Sequence, residues 1–284
     1  MLTQVRPTLV PPRPFLKWAG GKTQLLPQYA SLFPKTYRTY YEPFLGGGAV
    51  FFSLTPKKSF LADINLEIIN VYRCIRDDVE PLIGRLHEHY LSHSEAHYYD
   101  VRSRIEDTEE WFWHGNNLER AARILYLNKT CFNGLYRENS KGHFNVPMGR
   151  YKNPSIYDPD LLRSCAIALK SARIEPVGFE DVTKRAKSSN DFVYFDPPYY
   201  PISQTSKFTS YSRFSFTEQD QIRLRNVFVK LANRGVQVML SNSDCELIRD
   251  LYSGFNIHTI YASRHINAKG DKRGKITEVL VTSY

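Results

Sequence analysis

The chain has 284 residues, enough for one large hydrophobic core or for one core with an inserted lobe. Its 42% apolar and 24% charged residues exclude a disordered chain, and the lack of a signal segment or of an apolar run of about 18 residues predicts a soluble protein of the cytoplasm. The net charge of +9 favours a nucleic acid partner, and four scattered cysteines without clustered histidines indicate neither a disulfide framework nor a zinc site, so no metal is expected.

The N-terminal segment contains a glycine turn between two lysines. Residues 1–14 are rich in proline and are expected to form an extended arm. They precede the sequence Phe-Leu-Lys-Trp-Ala-Gly-Gly-Lys at residues 15–22. Such a turn can cradle a phosphate or a carboxylate, and Trp18 can cover a purine. An ordinary strand-to-helix turn with a buried tryptophan explains the same residues.

Two predicted strands then end in residues that suit a nucleoside ligand. The first spans Tyr37–Phe44 and leads into Gly46-Gly47-Gly48, and the second spans Ser59–Ala62 and ends at Asp63. Open α/β sheets bind ligands at this carboxyl edge, where glycine lets a ligand approach the backbone. Asp63 can accept hydrogen bonds from both ribose hydroxyls, although a role as a helix cap explains it equally well.

Residues 76–165 break the alternation of strands and helices and predict an inserted lobe. Helical stretches are expected around Pro81–Leu91 and Leu118–Leu127, before a polar, hairpin-like loop over Asn133–Pro154. The remaining residues, 1–75 and 166–284, are expected to form one domain.

The polar loop of this lobe carries residues that suit a DNA duplex. Arg137 can read a guanine edge, Phe132 or Leu135 can wedge into the base stack, and Val146 or Pro147 can touch a thymine methyl group. A solvated loop without a ligand is the alternative interpretation.

The sequence Asp196-Pro197-Pro198-Tyr199 follows the apolar run Phe192–Phe195, which predicts a buried strand. Proline has no backbone N–H, so the strand ends here and its carbonyls lose their ladder partners. A carboxylate and a free carbonyl can accept the two hydrogens of an adenine amino group, while the tyrosine ring stacks on the base. A simple Pro-Pro turn is the alternative.

The last third of the chain completes an α/β pattern. A helix is expected over Glu218–Asn233, and strands over Val236–Leu240, Phe255–Ala262 and Glu278–Tyr284. The sequence therefore predicts a mainly parallel, Rossmann-like sheet with helices on both faces, together with the inserted, mainly helical lobe.

Taken in order, these motifs resemble the Dam-type family of DNA adenine-N6 methyltransferases over nearly the whole chain. The resemblance rests on FLKWAGGK, EPFLGGG, Asp63, FNGLYR, GHFNVPMGRYKNP and FDPPY. It implies S-adenosylmethionine as methyl donor. The residues that it assigns to cofactor binding are Trp18, Gly20, Gly21, Lys22, Phe44, Gly46, Gly48, Asp63, Asp196 and one or more of Phe179, Glu180 and Asp181.

The same resemblance assigns the substrate residues. Asp196, Pro197, Pro198 and Tyr199 would hold a flipped adenine. The DNA-reading set would be Lys17, Phe132, Asn133, Leu135, Arg137 and Pro147. The resemblance suggests 5′-GATC-3′ as the recognised site, a monomeric enzyme, and a restriction endonuclease as a possible partner.

Three classes of function remain open at this point. Methylation of adenine in duplex DNA is the leading hypothesis. Methylation of RNA, of another GAT-containing DNA site or of a glutamine amide would use the same chemistry. A non-catalytic DNA-binding protein with this fold is the third.

Overall fold

The structure, a computed structural model, describes residues 10–104, 117–139, 142–202, 216–263 and 275–284. The chain forms two compact units. The helical unit is Met1–Gly21, Gly46–Thr55 and Asn65–Ala172, and the sheet unit is Lys22–Leu45, Pro56–Ile64 and Arg173–Tyr284. The domain boundaries expected near residues 75 and 166 stay a prediction. Within the described parts of the chain, no helix is both long and apolar enough to cross a bilayer.

The described residues contain a seven-stranded sheet. Its strands are β1 (Thr39–Glu42), β2 (Ser59–Ala62), β3 (Ala172–Glu175), β4 (Asp191–Phe195), β5 (Gln237–Ser243), β6 (Asn256–Ser263) and β7 (Lys275–Thr282). They lie in the order β3-β2-β1-β4-β5-β7-β6. β1 pairs in parallel with β2 and β4, and β4 pairs in parallel with β5, whereas β7 is antiparallel to β5 and β6. The predicted α/β fold is confirmed.

The described residues also contain ten α-helices, five of which follow one another between β2 and β3. They are α1 (Leu26–Tyr29), α2 (Ala49–Leu54), α3 (Leu66–Asp77), α4 (Val79–Leu91), α5 (Glu95–Ser103), α6 (Leu118–Thr130), α7 (Pro159–Leu169), α8 (Val182–Arg185), α9 (Glu218–Ala232) and α10 (Glu246–Leu251). Side-chain caps fix several of their starts. The Asn65 side chain accepts the backbone N–H groups of Glu67 and Ile68, and Thr217 forms a capping box with Asp220 at the start of α9.

Helices cover both faces of the sheet within the sheet unit. Every residue of β1, β2 and β4 is buried, as expected of parallel strands enclosed on both sides. On one face, Phe195 shares a hydrophobic core with Leu224 of α9. On the other, the ring of Tyr194 lies 6.5 Å from that of Tyr29 in α1.

The helical unit is built from α2 to α7 and the loop that follows α6. Helices α3, α4, α6 and α7 pack together. The chain then returns as a hairpin-like loop, with antiparallel bridges between Cys131 and Met148 and between Glu138 and Phe144. Phe144 packs into a hydrophobic core with Tyr98 of α5. Helices and a hairpin-like loop thus occur within residues 76–165, where the sequence predicts a mainly helical inserted lobe.

Candidate active site

The carboxylate of Asp196 follows the last residue of β4 and is held through one oxygen. Its Oδ1 lies 2.8 Å from the ammonium Nζ of Lys22 and accepts a 2.7 Å hydrogen bond from Oγ of Ser241 in β5. The Asp196 side chain is 22% exposed, whereas that of Lys22 is 5% exposed. No described residue hydrogen-bonds to Oδ2, so the carboxylate keeps one acceptor for a ligand.

The ring of Tyr199 is fixed at its face and at its hydroxyl. The Lys22 ammonium lies 4.7 Å from the ring centre, and the hydroxyl donates a 2.8 Å hydrogen bond to Oε2 of Glu278 in β7. Burial, and then the nearby Asp196 carboxylate, raises the pKa of Tyr199 well above its ordinary value. The hydroxyl therefore stays protonated and stays a donor to Glu278.

The two prolines of this turn differ in what their carbonyls accept. The Pro198 carbonyl accepts a 3.0 Å hydrogen bond from Nε2 of Gln221, and Asn242 in turn donates to Oε1 of Gln221 at 2.9 Å. No described residue donates to the Pro197 carbonyl. The turn thus retains two acceptors, this carbonyl and Oδ2 of Asp196, which matches the two hydrogens of an amino group.

Phe44 and Phe179 form an aromatic pair in the sheet unit. Their rings are stacked, with centroids 5.4 Å apart and planes 20° from parallel. Asp63 follows β2, and its backbone N–H donates to the Glu175 carbonyl at 3.4 Å, so Asp63 lies at the same carboxyl edge of the sheet as Asp196, which follows β4. A flat apolar pair and an acidic group on this edge are the features expected of a nucleoside site.

The structure separates the three residues at 179–181. Phe179 is buried against Phe44, whereas the Asp181 carboxylate accepts a 2.6 Å hydrogen bond from Nε of Arg185 and pairs with Lys184. Burial opposes ionisation of Asp181, but the hydrogen bonds from Arg185 and Lys184 prevail and lower its pKa. Glu180 keeps a half-exposed side chain, with Arg223 3.4 Å away. Of the two acids, Glu180 is the one less engaged in intramolecular contacts.

Trp18 packs on the second glycine turn within the helical unit. A Cβ built on Gly46 would lie 2.8 Å from Cδ1 of Trp18, and the φ of Gly46 is +44°. Both the close approach and the backbone angle therefore require glycine. The Trp18 ring also lies 4.9 Å from that of Tyr136, and Gly21 closes the first turn by donating its N–H to the Trp18 carbonyl at 3.2 Å. Gly20 and Gly48 also have positive φ, +77° and +64°.

Lys17 and the Phe132–Arg137 segment are tied together by a residue that sequence reasoning missed. The Asn128 side chain is fully buried. It accepts the Lys17 N–H and donates to the Lys17 carbonyl, both at 2.8 Å, and it also donates to the Gly134 carbonyl at 3.2 Å. Asn128 therefore fixes the position of the Lys17 backbone, from which the Lys17 side chain extends.

The other DNA-reading candidates lie on the hairpin-like loop. Phe132 and Leu135 are 49% and 45% exposed, which is unusual for large apolar side chains. Arg137 donates from Nε to Oδ1 of Asn145 at 2.8 Å. The Pro147 carbonyl accepts the Phe132 N–H at 2.9 Å. Asn133 adopts a left-handed conformation, with φ of 56°.

The supports of the Asp196 turn were also missed by sequence reasoning. They are Ser241, Asn242, Gln221 and Glu278. One signal could have found the first two. β5 is a central strand that ends in Ser-Asn-Ser, and three consecutive polar residues in a buried strand need partners.

Comparison with known proteins decides the family. The family model for D12 class N6 adenine-specific DNA methyltransferases matches residues 18–266. The chain belongs to this family. The methyltransferase is 50% identical to the type II methyltransferase M1.LlaDCHI of Lactococcus lactis subsp. cremoris over 279 residues, which covers 96% of this chain and 95% of that protein.

Two further relatives are similar over nearly their whole lengths. The methyltransferase is 44% identical to the type II methyltransferase M.MjaIII of Methanocaldococcus jannaschii, with 96% of this chain and 99% of that protein covered. It is 35% identical to the DNA adenine methylase of Vibrio cholerae, with 94% and 95% covered. The predicted family and enzyme class, an adenine-specific DNA methyltransferase, are confirmed.

Proposed function

We propose that this methyltransferase transfers a methyl group from S-adenosylmethionine to N6 of an adenine that is flipped out of duplex DNA, within 5′-GATC-3′. The observation that carries the proposal is the pair of acceptors at the Asp196 turn. Oδ2 of Asp196 and the Pro197 carbonyl have no described donor, and the Tyr199 ring beside them is held in place at 2.8 Å by Glu278. A flat base with one amino group complements this arrangement.

The residues that would hold the methyl donor are compatible with a nucleoside that carries a cation. Phe44 and Phe179 offer an aromatic surface for its adenine, Asp63 offers acceptors for its ribose hydroxyls, and Glu180 offers an exposed carboxylate. In the helical unit, Trp18 of the first glycine turn packs on Gly46 of the second, and the sequence resemblance assigns both residues to cofactor binding. When bound, S-adenosylmethionine supplies a methyl group already activated on a sulfonium.

The protein then needs to position the amino group rather than to act as a strong base. The lone pair of N6 is delocalised into the purine ring, which makes it a poor nucleophile. Hydrogen bonds from N6 to Oδ2 of Asp196 and to the Pro197 carbonyl favour the pyramidal form, in which the lone pair points out of the ring plane. Holding this form in line with the methyl group lowers the activation free energy of methyl transfer.

Flipping the base requires compensation from protein contacts. Unstacking costs a few kcal/mol, and stacking on Tyr199 returns about 1–3 kcal/mol. Phe132 and Leu135 are exposed on the loop and would fill the space that the base leaves in the duplex. Within the proposed recognition domain, residues 76–165, Asn133, Leu135, Arg137 and Pro147 would read the site together with Lys17.

The recognition sequence is tested by methylating plasmid DNA and digesting it with nucleases that are sensitive to adenine methylation. Protection at every 5′-GATC-3′ and at no other site supports the proposal, and protection at a different site contradicts the sequence assignment. The same reaction with Asp196→Asn should give no methylation, since the amide offers a donor where N6 needs an acceptor. Retained turnover would remove Asp196 from its proposed role.

The cofactor assignment has its own measurement. Asp63→Ala should weaken S-adenosylmethionine binding by about 1–3 kcal/mol in a calorimetric titration, because the ribose hydroxyls lose a charged acceptor. Site choice on plasmid DNA should stay the same. Unchanged affinity would leave Asp63 with a purely structural role.

The type II names of two relatives support a further proposal, that the enzyme protects DNA from a restriction endonuclease of the same specificity. We also propose that it acts as a monomer. Sedimentation of the enzyme alone and on a one-site duplex tests the second point, since a dimer on one site would contradict it.

A further inference from the structure

One oxygen of the Asp196 carboxylate carries both of its hydrogen bonds. Lys22 Nζ at 2.8 Å and Ser241 Oγ at 2.7 Å both contact Oδ1. Two donors on one oxygen fix the plane of the carboxylate, because any intermediate rotation about its Cβ–Cγ bond would lengthen both contacts. Oδ2 is left as the oxygen that faces a ligand.

Lys22 also links this carboxylate to the stacking ring. Its ammonium lies 4.7 Å from the centre of the Tyr199 ring, and the residue is only 4% exposed. A buried ammonium is stable only when it is paired, so the contacts with Asp196 and Tyr199 also fix Lys22. One cation therefore contacts both groups that are proposed to hold the base, the Asp196 carboxylate and the Tyr199 ring.

We propose that Lys22 is the positioning residue of the adenine site, and that it makes Oδ2 of Asp196 the single carboxylate oxygen presented to the N6 amino group. This inference rests on the proposed function, in which Asp196 accepts a hydrogen from N6. It replaces the cofactor-binding role that the sequence resemblance gave to Lys22. Ser241 assists as the second donor to Oδ1, and Glu278 fixes the far end of the Tyr199 ring.

The arrangement also determines which bases are accepted. The two groups left for the base edge, Oδ2 of Asp196 and the Pro197 carbonyl, only accept hydrogen bonds. A base with an amino group at position six satisfies them, whereas hypoxanthine would place a carbonyl oxygen against them. A base that leaves these two acceptors unpaired is rejected more strongly than a base that differs only in shape.

The test separates positioning of N6 from binding of the cofactor. Lys22→Met removes the cation and keeps a chain of similar length, and Lys22→Arg keeps a cation. Three quantities are measured: the single-turnover methylation rate, the affinity for S-adenosylmethionine, and the preference for a duplex with adenine over one with purine at the target position. A purine target differs from adenine only in lacking the amino group. The preference is measured by titrating each duplex into the enzyme in the presence of S-adenosylhomocysteine.

We expect Lys22→Met to lower the single-turnover rate about 100-fold and to reduce the adenine-over-purine preference about tenfold, the size of one hydrogen bond to a charged group. The affinity for S-adenosylmethionine should stay within about threefold, and Lys22→Arg should recover part of the rate. A cofactor affinity that falls more than the rate, with an unchanged preference, would overturn the inference. So would a wild-type rate in Lys22→Met.

Two further variants keep the result interpretable. If Lys22→Met does not fold, Ser241→Ala removes the other donor to Oδ1. It should lower the rate about tenfold, and an unchanged rate would overturn the inference. Asp196→Asn is assayed in parallel. If it retains turnover, the proposed function fails. If it is inactive while Lys22→Met behaves as wild type, only the role of Lys22 fails.

Discussion

Acid should weaken the helical unit through a buried histidine. Nδ1 of His89 in α4 lies 3.0 Å from Nε2 of His97 in α5, and the His89 ring stacks on Tyr126 with centroids 4.8 Å apart. Burial, and then the neighbouring His97 and Arg104, lowers the pKa of His89 to about 4. Folding therefore favours the neutral ring.

The sign and size of the effect follow from proton linkage. In the unfolded chain His89 has a pKa of about 6.5. Between that value and about 4, the unfolded state binds more protons than the folded state, so the free energy of unfolding falls as the pH falls. The linkage relation gives a loss of about 2 kcal/mol between about pH 7.5 and pH 5.

The variant His89→Phe keeps a ring on Tyr126 but cannot bind a proton. Urea unfolding followed by circular dichroism should show that wild type loses about 2 kcal/mol more than the variant over this pH range. Burial also lowers the pKa of His93 and that of His97. His89 causes neither shift and both residues titrate in both proteins, so their contributions cancel. Measurement near pH 8 gives the packing cost of the substitution separately. Equal losses in the two proteins would refute the reasoning.

Four other substitutions test separate parts of the molecule. Arg137→Ala should relax specificity at one base pair by about 1–3 kcal/mol, measured on duplexes with single changes; uniform weakening would mark a phosphate contact instead. Gly134→Ala should destabilise the protein, because φ of Gly134 is +65° and the new Cβ would lie 2.9 Å from Cβ of Lys17. The control Gly84→Ala, whose new Cβ would have no atom within 4 Å, should stabilise α4 by about 1 kcal/mol. Lys129→Met should stabilise the protein near pH 7 by about 1–3 kcal/mol, since burial, with repulsion from Lys17, lowers the Lys129 pKa to about 8. The difference in free energy of unfolding between variant and wild type should shrink as the pH rises towards 10.5. A difference that stays constant with pH would contradict this.

Apolar runs bounded by turn residues made most elements predictable. The expected strand Ser59–Ala62 is β2, and the expected helix over Glu218–Asn233 is α9, Glu218–Ala232. β3 was missed because Ala172–Glu175 is short and alternates apolar with charged residues. α7 was not predicted, although Asp158 caps it and Pro159 begins it.

The candidate residues of the active site could be predicted from the sequence, but the side chains that hold them in place could not. A motif such as Asp196-Pro197-Pro198-Tyr199 is local, so its residue types alone indicate an acceptor and a stacking ring. Ser241 lies 45 residues from Asp196, and Glu278 lies 79 residues from Tyr199. Such pairs arise only when the strand order places β5 beside β4 and β7 beside β5, and the strand order is not encoded in any one segment.

The prolines explain why distant side chains must build this turn. Without backbone N–H groups, Pro197 and Pro198 cannot be held by the sheet ladder. The Pro198 carbonyl is instead bonded by Gln221, at 3.0 Å, and Asn242 accepts the Tyr200 N–H at 3.1 Å. Gln221 thus occupies the Pro198 carbonyl and Asn242 occupies the Tyr200 N–H, which leaves the Pro197 carbonyl as the acceptor for a ligand. The motif supplies the chemical groups, and the surrounding amides select which of them remain available for an amino group.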